Sequence, residues 1–123
     1  MHQYKGKLII HTGSMFSGKT SSLEKDVKRF KIAGYKTLAF KPSVDIRYTT
    51  SDIISHDKTS LEAILVEDID DIIDYCNELK PDVVAIDEVQ FLKGKLDDIL
   101  NCVKDMLDNE VTVILAGLDI DFT

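Results

Sequence analysis

The chain has 123 residues, of which 44% are hydrophobic and 30% charged, a composition typical of one globular domain and not of a disordered segment. Its formal net charge is -7 with only two arginines, so a groove of clustered positive charge for nucleic acid is not expected. No apolar run approaches the roughly 20 residues that span a bilayer, and the start, MHQYKGK, lacks an apolar signal core. We expect one domain over residues 1–123, in the cytoplasm, with neither membrane nor nucleic acid as a partner.

The first half of the chain predicts strand, helix, strand and loop in that order. KLIIHT at 7–12 is a short apolar run typical of a strand. Apolar residues then recur at i, i+4 and i+7, which indicates one face of a helix: Leu23, Val27 and Phe30. Gly34 lies where a C-terminal cap of this helix is needed. YKTLAFK at 35–41 predicts a strand stopped by Pro42, and residues 42–60 have little periodicity, which favours a long loop carrying functional residues.

The second half alternates in the same way. Short apolar runs predict strands around 62–68, at 82–88 and at 111–117. A second helix, ending before Pro81, is marked by Ile69, Ile72, Ile73, Cys76 and Leu79. A third is marked by Leu96, Ile99, Leu100, Val103 and Leu107. Because strands alternate with helices and several strands are apolar on both faces, the pattern predicts an α/β fold with a mainly parallel sheet and helices on both faces.

The two cysteines, Cys76 and Cys102, are isolated in the sequence and form no C-x-x-C pair. A disulfide is not expected in a cytosolic protein, and two cysteines cannot supply a four-ligand zinc site. Cys76 falls on the apolar stripe of the second predicted helix, which favours a buried thiol.

An eight-residue glycine-containing segment joins the first predicted strand to the first predicted helix. It reads GSMFSGKT and consists of Gly13, Ser14, Met15, Phe16, Ser17, Gly18, Lys19 and Thr20. The spacing G-x-x-x-x-G-K-[ST] lets backbone N–H groups curl around phosphate oxygens at the positive end of the following helix. Lys19 would then reach the β- and γ-phosphates, and the Thr20 hydroxyl would bind Mg²⁺. The alternative is a chance match in a Gly/Ser turn, which its position at a strand–helix junction disfavours.

A second acidic element is expected on a neighbouring strand, with a carboxylate aimed at Mg²⁺. VVAIDE provides it, because Asp87 and Glu88 follow an apolar run. Carboxyl ends of strands are where α/β sheets bind their ligands, and a carboxylate there can accept a proton from an attacking hydroxyl or position a water molecule. The alternative is that both residues only begin a solvated loop.

Five motifs occur in the order found in the thymidine kinases of the zinc-lasso type, which bacteria and animal cytosol contain. They are GSMFSGKT, KPSVDIRY (41–48), SHD (55–57), DEVQF (87–91) and AGLDIDF (116–122). The chain thus resembles this family over essentially its whole length. The resemblance implies a three-layer, RecA-like fold of the P-loop NTPase type. It also implies transfer of the γ-phosphoryl group of ATP to the 5′-hydroxyl of thymidine, with Mg²⁺.

The resemblance also implies residue roles. Lys19 and the loop amides would hold the phosphates, Thr20 and Asp87 would serve the metal, and Glu88 would be the general base. Arg47 would contact the phosphates, with Asp45 a further candidate near the metal. Positions that enclose the base in family members carry Met15, Phe91, Leu118 and Phe122. Phe91 and Leu118 have a rival interpretation as plain core residues.

Family members continue through a final strand, a zinc module with paired cysteines and a lasso loop that grips thymidine. Residues 1–123 carry the predicted ATP site but not these later parts, so we expect ATP binding with weak or undetectable thymidine phosphorylation from this stretch of chain. Two other hypotheses stay open: an ATP-binding or ATPase module that works with a partner protein, and a non-catalytic relic that persists as an interaction domain. The family further suggests a homo-oligomer, commonly a tetramer.

Overall fold

A computed structural model describes residues 6–12, 19–43 and 63–117. Within these ranges the chain forms five strands, three α-helices and one short 3₁₀ turn. The strands are β1 (Leu8–Thr12), β2 (Thr37–Pro42), β3 (Ile64–Val66), β4 (Val83–Ile86) and β5 (Thr112–Gly117). The helices are α1 (Lys19–Ile32), α2 (Ile69–Leu79) and α3 (Leu96–Asp108), and the 3₁₀ turn is Val89–Phe91.

The strands form one parallel sheet in the order β1-β5-β4-β2-β3. In register, Thr12 at the end of β1 pairs with Gly117 at the end of β5. On the other side of β5, Ile86 at the end of β4 pairs with Leu115. The predicted parallel sheet is thus confirmed, and the carboxyl ends of its strands lie along one edge.

Helices cover both faces of the sheet, as predicted. α1 packs on one face through Leu23, Val27 and Phe30, against residues that include Ala39, Val83, Ala85, Ile114 and Ala116. α2 and α3 pack on the other face, against residues that include Phe40, Val84, Ile86, Val113 and Leu115. Every residue of β4 and β5 is buried, which explains why their sequences read as continuous apolar runs.

The end of α1 follows the sequence prediction. Gly34 adopts φ +95°, its N–H donates to the Lys31 carbonyl, and the Tyr35 N–H donates to the Phe30 carbonyl. These two bonds form a Schellman cap, which needs a left-handed residue at this position. Pro42 was expected to follow the strand and end it. It is instead the last residue of β2 and pairs with Val66.

The buried face of α3 differs from the predicted stripe. Its buried residues are Ile99, Cys102, Val103 and Met106, whereas Leu96 is 56% exposed. The buried residues are again spaced i, i+3, i+4 and i+7. The helix therefore buries an apolar stripe adjacent to the predicted one. The Cys102 thiol is buried. Cys76 on α2 is only half-buried, whereas a buried thiol was expected there. None of the helices in the described ranges has the length and apolar character needed to cross a membrane.

Candidate functional site

The segments predicted to carry function follow four strand ends on one edge of the sheet. Residues 13–20 follow β1, residues 45 and 47 follow β2, the pair Asp87 and Glu88 follows β4, and residues 118–122 follow β5. Because the strands are parallel, these connections leave the sheet from the same side. The strand ends from which these segments continue therefore lie on one side of the sheet.

The acidic strand is not the neighbour of the strand that precedes the glycine-rich segment. β5 lies between β1 and β4, so the prediction of adjacent strands was wrong. With strands about 4.8 Å apart, the ends of β1 and β4 are separated by ~10 Å. β5 occupies this space within the sheet, so a phosphate chain and a hydrated cation would lie beyond the end of β5, between groups that extend from the other two strand ends.

Asp87 is a buried carboxylate at the end of β4, with 3% of its surface exposed. Its N–H donates to the Phe40 carbonyl of β2 (2.9 Å), and its Oδ1 accepts from the Glu88 N–H (2.9 Å). The interpretation as the start of a solvated loop is therefore wrong for Asp87. Burying a carboxylate is costly unless hydrogen bonds or a cation compensate it, so a cation-binding role fits this position.

Glu88 has a left-handed backbone conformation, φ +51° and ψ +44°. This conformation is costly for a residue with a side chain and is found most often where function requires it. Glu88 is half-buried, and its Oε2 accepts a 2.9 Å hydrogen bond from the Gln90 side-chain amide. The backbone turn and this bond together fix the direction of the Glu88 carboxylate.

Phe91 ends the 3₁₀ turn, and 45% of its surface is exposed. Its rival interpretation as a core residue is wrong, because the neighbouring Val89 is the buried residue of this turn. Phe91, three residues after Glu88, does not belong to the buried core of the described residues. Its role in enclosing a base stays a prediction.

Several predicted residues lie outside the described part of the chain: Gly13, Ser14, Met15, Phe16, Ser17, Gly18, Asp45, Arg47, Leu118 and Phe122. Lys19 and Thr20 are the first residues of α1. The first turn of α1 has no acidic residue, whereas α2 and α3 carry Asp70, Asp71, Asp97 and Asp98 in theirs. Acidic side chains neutralise the positive end of a helix. Among these three helices, only α1 has a first turn without an acidic side chain, which is compatible with an external anion at that end.

The donor set fits a magnesium ion held mostly by its substrate. No group of three or more His, Cys, Asp or Glu residues suited to a metal occurs within the described residues. Mg²⁺ in phosphoryl-transfer sites needs no such cage, because one or two protein oxygens, substrate phosphates and water complete its shell. Asp87 would be one hard oxygen ligand of this kind, and the Thr20 hydroxyl would be the second.

One feature of the site region was missed from the sequence. Asp26 on α1 is 8% exposed and contacts both His11 of β1 and Arg29 of α1. Asp26 lies three residues after Leu23 and one before Val27, so it belongs to the buried stripe itself. A charged residue at an i+3 position of an apolar stripe was the available signal.

A parallel sheet with an acid-ended strand two positions from a glycine-rich strand–helix junction is the arrangement of RecA-like P-loop proteins. Solved structures agree with this fold class. The flagellar accessory protein FlaH from Methanocaldococcus jannaschii superposes with a TM-score of 0.66 at 16% identity, over 94% of this chain and 62% of FlaH. A DNA replication initiation factor superposes with a TM-score of 0.56 at 23% identity, over 92% of this chain and 33% of that one.

The sequence comparisons then identify the family. The thymidine kinase family profile matches residues 6–123, so the chain belongs to the thymidine kinase family. A thymidine kinase of Bacteroides fragilis is 41% identical over 118 residues, which are 96% of this chain and 57% of that protein. One from Coprothermobacter proteolyticus is 42% identical over 117 residues, with 95% and 57% covered. The chain therefore spans a little over half the length of these relatives.

Proposed function

We propose that this chain carries the ATP site and the general base of a thymidine kinase, which transfers the γ-phosphoryl group of ATP to thymidine. The observation that carries the proposal is the geometry at the end of β4. There a buried Asp87 is followed at once by a half-buried Glu88 in a left-handed turn. Family membership and the absence of an acidic residue from the first turn of α1 support the same function.

The residues divide the work by chemical type. The amides of residues 13–18 and Lys19 would bind the phosphates, with Arg47 as a further contact. Asp87 and Thr20 would hold Mg²⁺, with Asp45 near it, and the ion would neutralise charge on the β- and γ-phosphates. Met15, Phe91, Leu118 and Phe122 would enclose the nucleoside base.

In the transfer itself, the Glu88 carboxylate accepts the proton of the 5′-hydroxyl as the oxygen attacks the γ-phosphorus. A new P–O bond forms to the nucleoside, the bond between the γ-phosphorus and the β,γ-bridging oxygen breaks, and ADP leaves with that electron pair. The Gln90 amide holds Glu88 through its Oε2, which fits a base that must keep one direction. The products are dTMP and ADP.

The test measures binding and transfer separately. Calorimetry of this chain with Mg·ATP should give a saturable heat that Lys19→Ala abolishes. Release of ADP should then be measured with thymidine, with deoxyuridine and without a nucleoside. Both the chain and a version extended with the remaining part of the Bacteroides fragilis relative should be assayed. Thymidine-dependent release by the extended version supports the kinase; nucleoside-independent release by both favours the ATPase module.

Glu88→Gln isolates the general base in the same assay. The substitution keeps the size of the side chain and a group that can bond Gln90, so Mg·ATP binding should persist while transfer is lost. Equal loss of binding and transfer would contradict the role. Absence of any heat with Mg·ATP would overturn the whole proposal.

Two further attributes follow from the family resemblance and belong to the proposal. The protein works as a homo-oligomer, with a tetramer as the expected form, and it is located in the cytoplasm. Sedimentation velocity on the extended version would measure the oligomeric state directly. A monomer at all concentrations would contradict the first attribute.

A further inference from the structure

Asp26 is a charged residue on the side of α1 that faces the sheet. Leu23 and Val27, on the same stripe, are fully or almost fully buried, and Asp26 itself is 8% exposed. A carboxylate in such a position is retained only at a cost in desolvation, which its hydrogen bonds must offset. A leucine would complete the stripe at no such cost, so the carboxylate needs an explanation.

Both oxygens of this carboxylate are used. Nε2 of His11 donates to Oδ2 at 2.6 Å, and a guanidinium nitrogen of Arg29 donates to Oδ1 at 2.6 Å. The two partners differ in kind, because Arg29 lies one turn away on the same helix and is 73% exposed, whereas His11 belongs to β1. The bond to His11 is therefore the one that ties two elements together.

His11 reaches α1 because of the alternation along β1. Ile9, two residues earlier on the same face, packs in the cluster under α1. His11 pairs in register with Ala116 of β5, a small buried residue of that cluster. The imidazole thus comes from the second-last residue of β1, and Asp26 lies two turns into the helix that begins at Lys19.

We propose that Asp26 is a positioning residue for nucleotide binding, acting through His11 to fix the distance between the end of β1 and the start of α1. These are the two anchors of residues 13–18, and the inference rests on the proposed function of that segment as the phosphate loop. A ring of backbone amides binds phosphate best when its ends are held in place before the ligand arrives. The carboxylate keeps its place because it sets this geometry, not because it stabilises the core.

The decisive variants separate positioning from stability. Asp26→Leu removes the tie and completes the apolar stripe, so thermal stability should be kept or raised. His11→Leu removes the tie from the other side, whereas His11→Gln places an amide donor near the position of Nε2. We expect Asp26→Leu and His11→Leu to weaken Mg·ATP binding about tenfold. This is the affinity change expected if the loss of one hydrogen bond to a charged group is transmitted fully to the nucleotide site. His11→Gln should stay within about twofold of the wild type, because the donor is restored.

Hydrogen exchange in the ligand-free protein gives a second readout. Peptides covering residues 13–18 should exchange faster in both leucine variants than in the wild type, with α2 and α3 unchanged. Asp82→Asn is the matched control. The Asp82 carboxylate accepts a 2.9 Å hydrogen bond from the Lys36 N–H at the opposite edge of the sheet, so this variant should change neither the affinity nor the exchange rate. Wild-type affinity and exchange in both leucine variants would overturn the inference, and so would a His11→Gln variant as weak as His11→Leu. A wild type that binds no Mg·ATP would instead refute the proposed function, and the exchange data would still decide on Asp26.

Discussion

The side-chain amide of Gln90 donates a 2.9 Å hydrogen bond to the carboxylate of Glu88, two residues earlier. This side-chain bond lies within the 3₁₀ turn that follows β4. In the same turn, the Phe91 N–H donates to the Glu88 carbonyl (3.0 Å). The side chain proposed as the base is thus held in part by its own turn, through the hydrogen bond from Gln90.

We expect Gln90→Ala to lower the turnover number of the extended version about fivefold, the effect of losing a hydrogen bond worth about 1 kcal/mol. The KM for ATP should be unchanged, because the hydrogen bond that is lost holds the proposed base. Steady-state kinetics with thymidine check both values. Gln90→Asn is the control: its shorter amide should not reach Glu88, so it should behave like alanine.

Asp87→Asn should remove the effect of magnesium on ATP binding. An asparagine oxygen can still accept the Glu88 N–H, so the fold should persist, but the negative charge needed by the cation is lost. Calorimetry with and without Mg²⁺ should show ATP affinity in the wild type improved by the ion about tenfold or more, and little improved in the variant. If Mg²⁺ improves ATP affinity equally in both proteins, Asp87 is not the metal ligand.

Glu88→Gly should abolish transfer with little net change in stability. Glycine adopts φ +51° without the penalty of roughly 1 kcal/mol that a side chain incurs in the left-handed region, but the variant also loses the hydrogen bond from Gln90, worth about as much. Urea unfolding should show a nearly unchanged free energy of unfolding, and the ADP assay should show the loss of transfer. The matched control is Lys80→Gly, which relieves a similar conformation (φ +49°) at the end of α2 and should stabilise without affecting transfer.

The parallel sheet and its helices could be predicted because their causes are local. β4 and β5 are buried at every position, and α1 and α2 have apolar stripes and recognisable ends. The order of the strands could not be predicted in the same way. Nothing within the sequence of β5 states that it lies between β1 and β4, since neighbours in a parallel sheet are chosen by crossover connections over long distances in the chain.

Candidate site residues were predicted where a motif fixed their spacing and missed where no motif marked them. Asp87 and Glu88 could be proposed because an acid pair ends an apolar run. Asp26 was missed because a search for apolar periodicity passes over a charged residue, and His11 gains its meaning only when β1 and α1 are packed together. α3 shows the same limit, since two adjacent apolar stripes compete and only the sheet decides for Cys102 and Met106.

Gly34→Ala should destabilise the fold by roughly 1 to 2 kcal/mol through backbone strain alone. Apart from its two neighbours in the chain, no heavy atom of the described residues lies within 4 Å of the position that the new Cβ would take, so no clash contributes, while φ +95° disfavours any side chain. Urea unfolding should show a lower midpoint with an unchanged slope. Gly34→Asn should cost less, because asparagine tolerates left-handed conformations better. Equal stability of the wild type and the alanine variant would mean that the Schellman cap at α1 contributes little.

The two cysteines line a cavity of about 570 Å³ between α2 and α3. The cavity is also lined by Lys80 and Pro81, which precede β4, and by Val111, which precedes β5. This is the edge of the sheet opposite to Asp87. Burial raises the pKa of the Cys76 thiol from 9.0 to about 11. Burial, with Cys76, Asp105 and Asp70 nearby, raises the pKa of Cys102 to about 11 as well. Both thiols are therefore protonated at neutral pH and poorly nucleophilic.

The raised pKa values make the fold sensitive to alkali with a defined sign. Between about pH 9 and pH 11 the unfolded chain loses thiol protons that the folded chain keeps, so the free energy of unfolding must fall as pH rises through this window. Below about pH 9 both states are protonated and the thiols add no pH dependence. Urea unfolding at about pH 8 and about pH 10.5 measures the fall, and a Cys76→Ala, Cys102→Ala double variant subtracts what lysines and tyrosines contribute. The wild type should lose more stability than the double variant across this interval; parallel losses in the two proteins would show that the thiols are not buried in the folded chain.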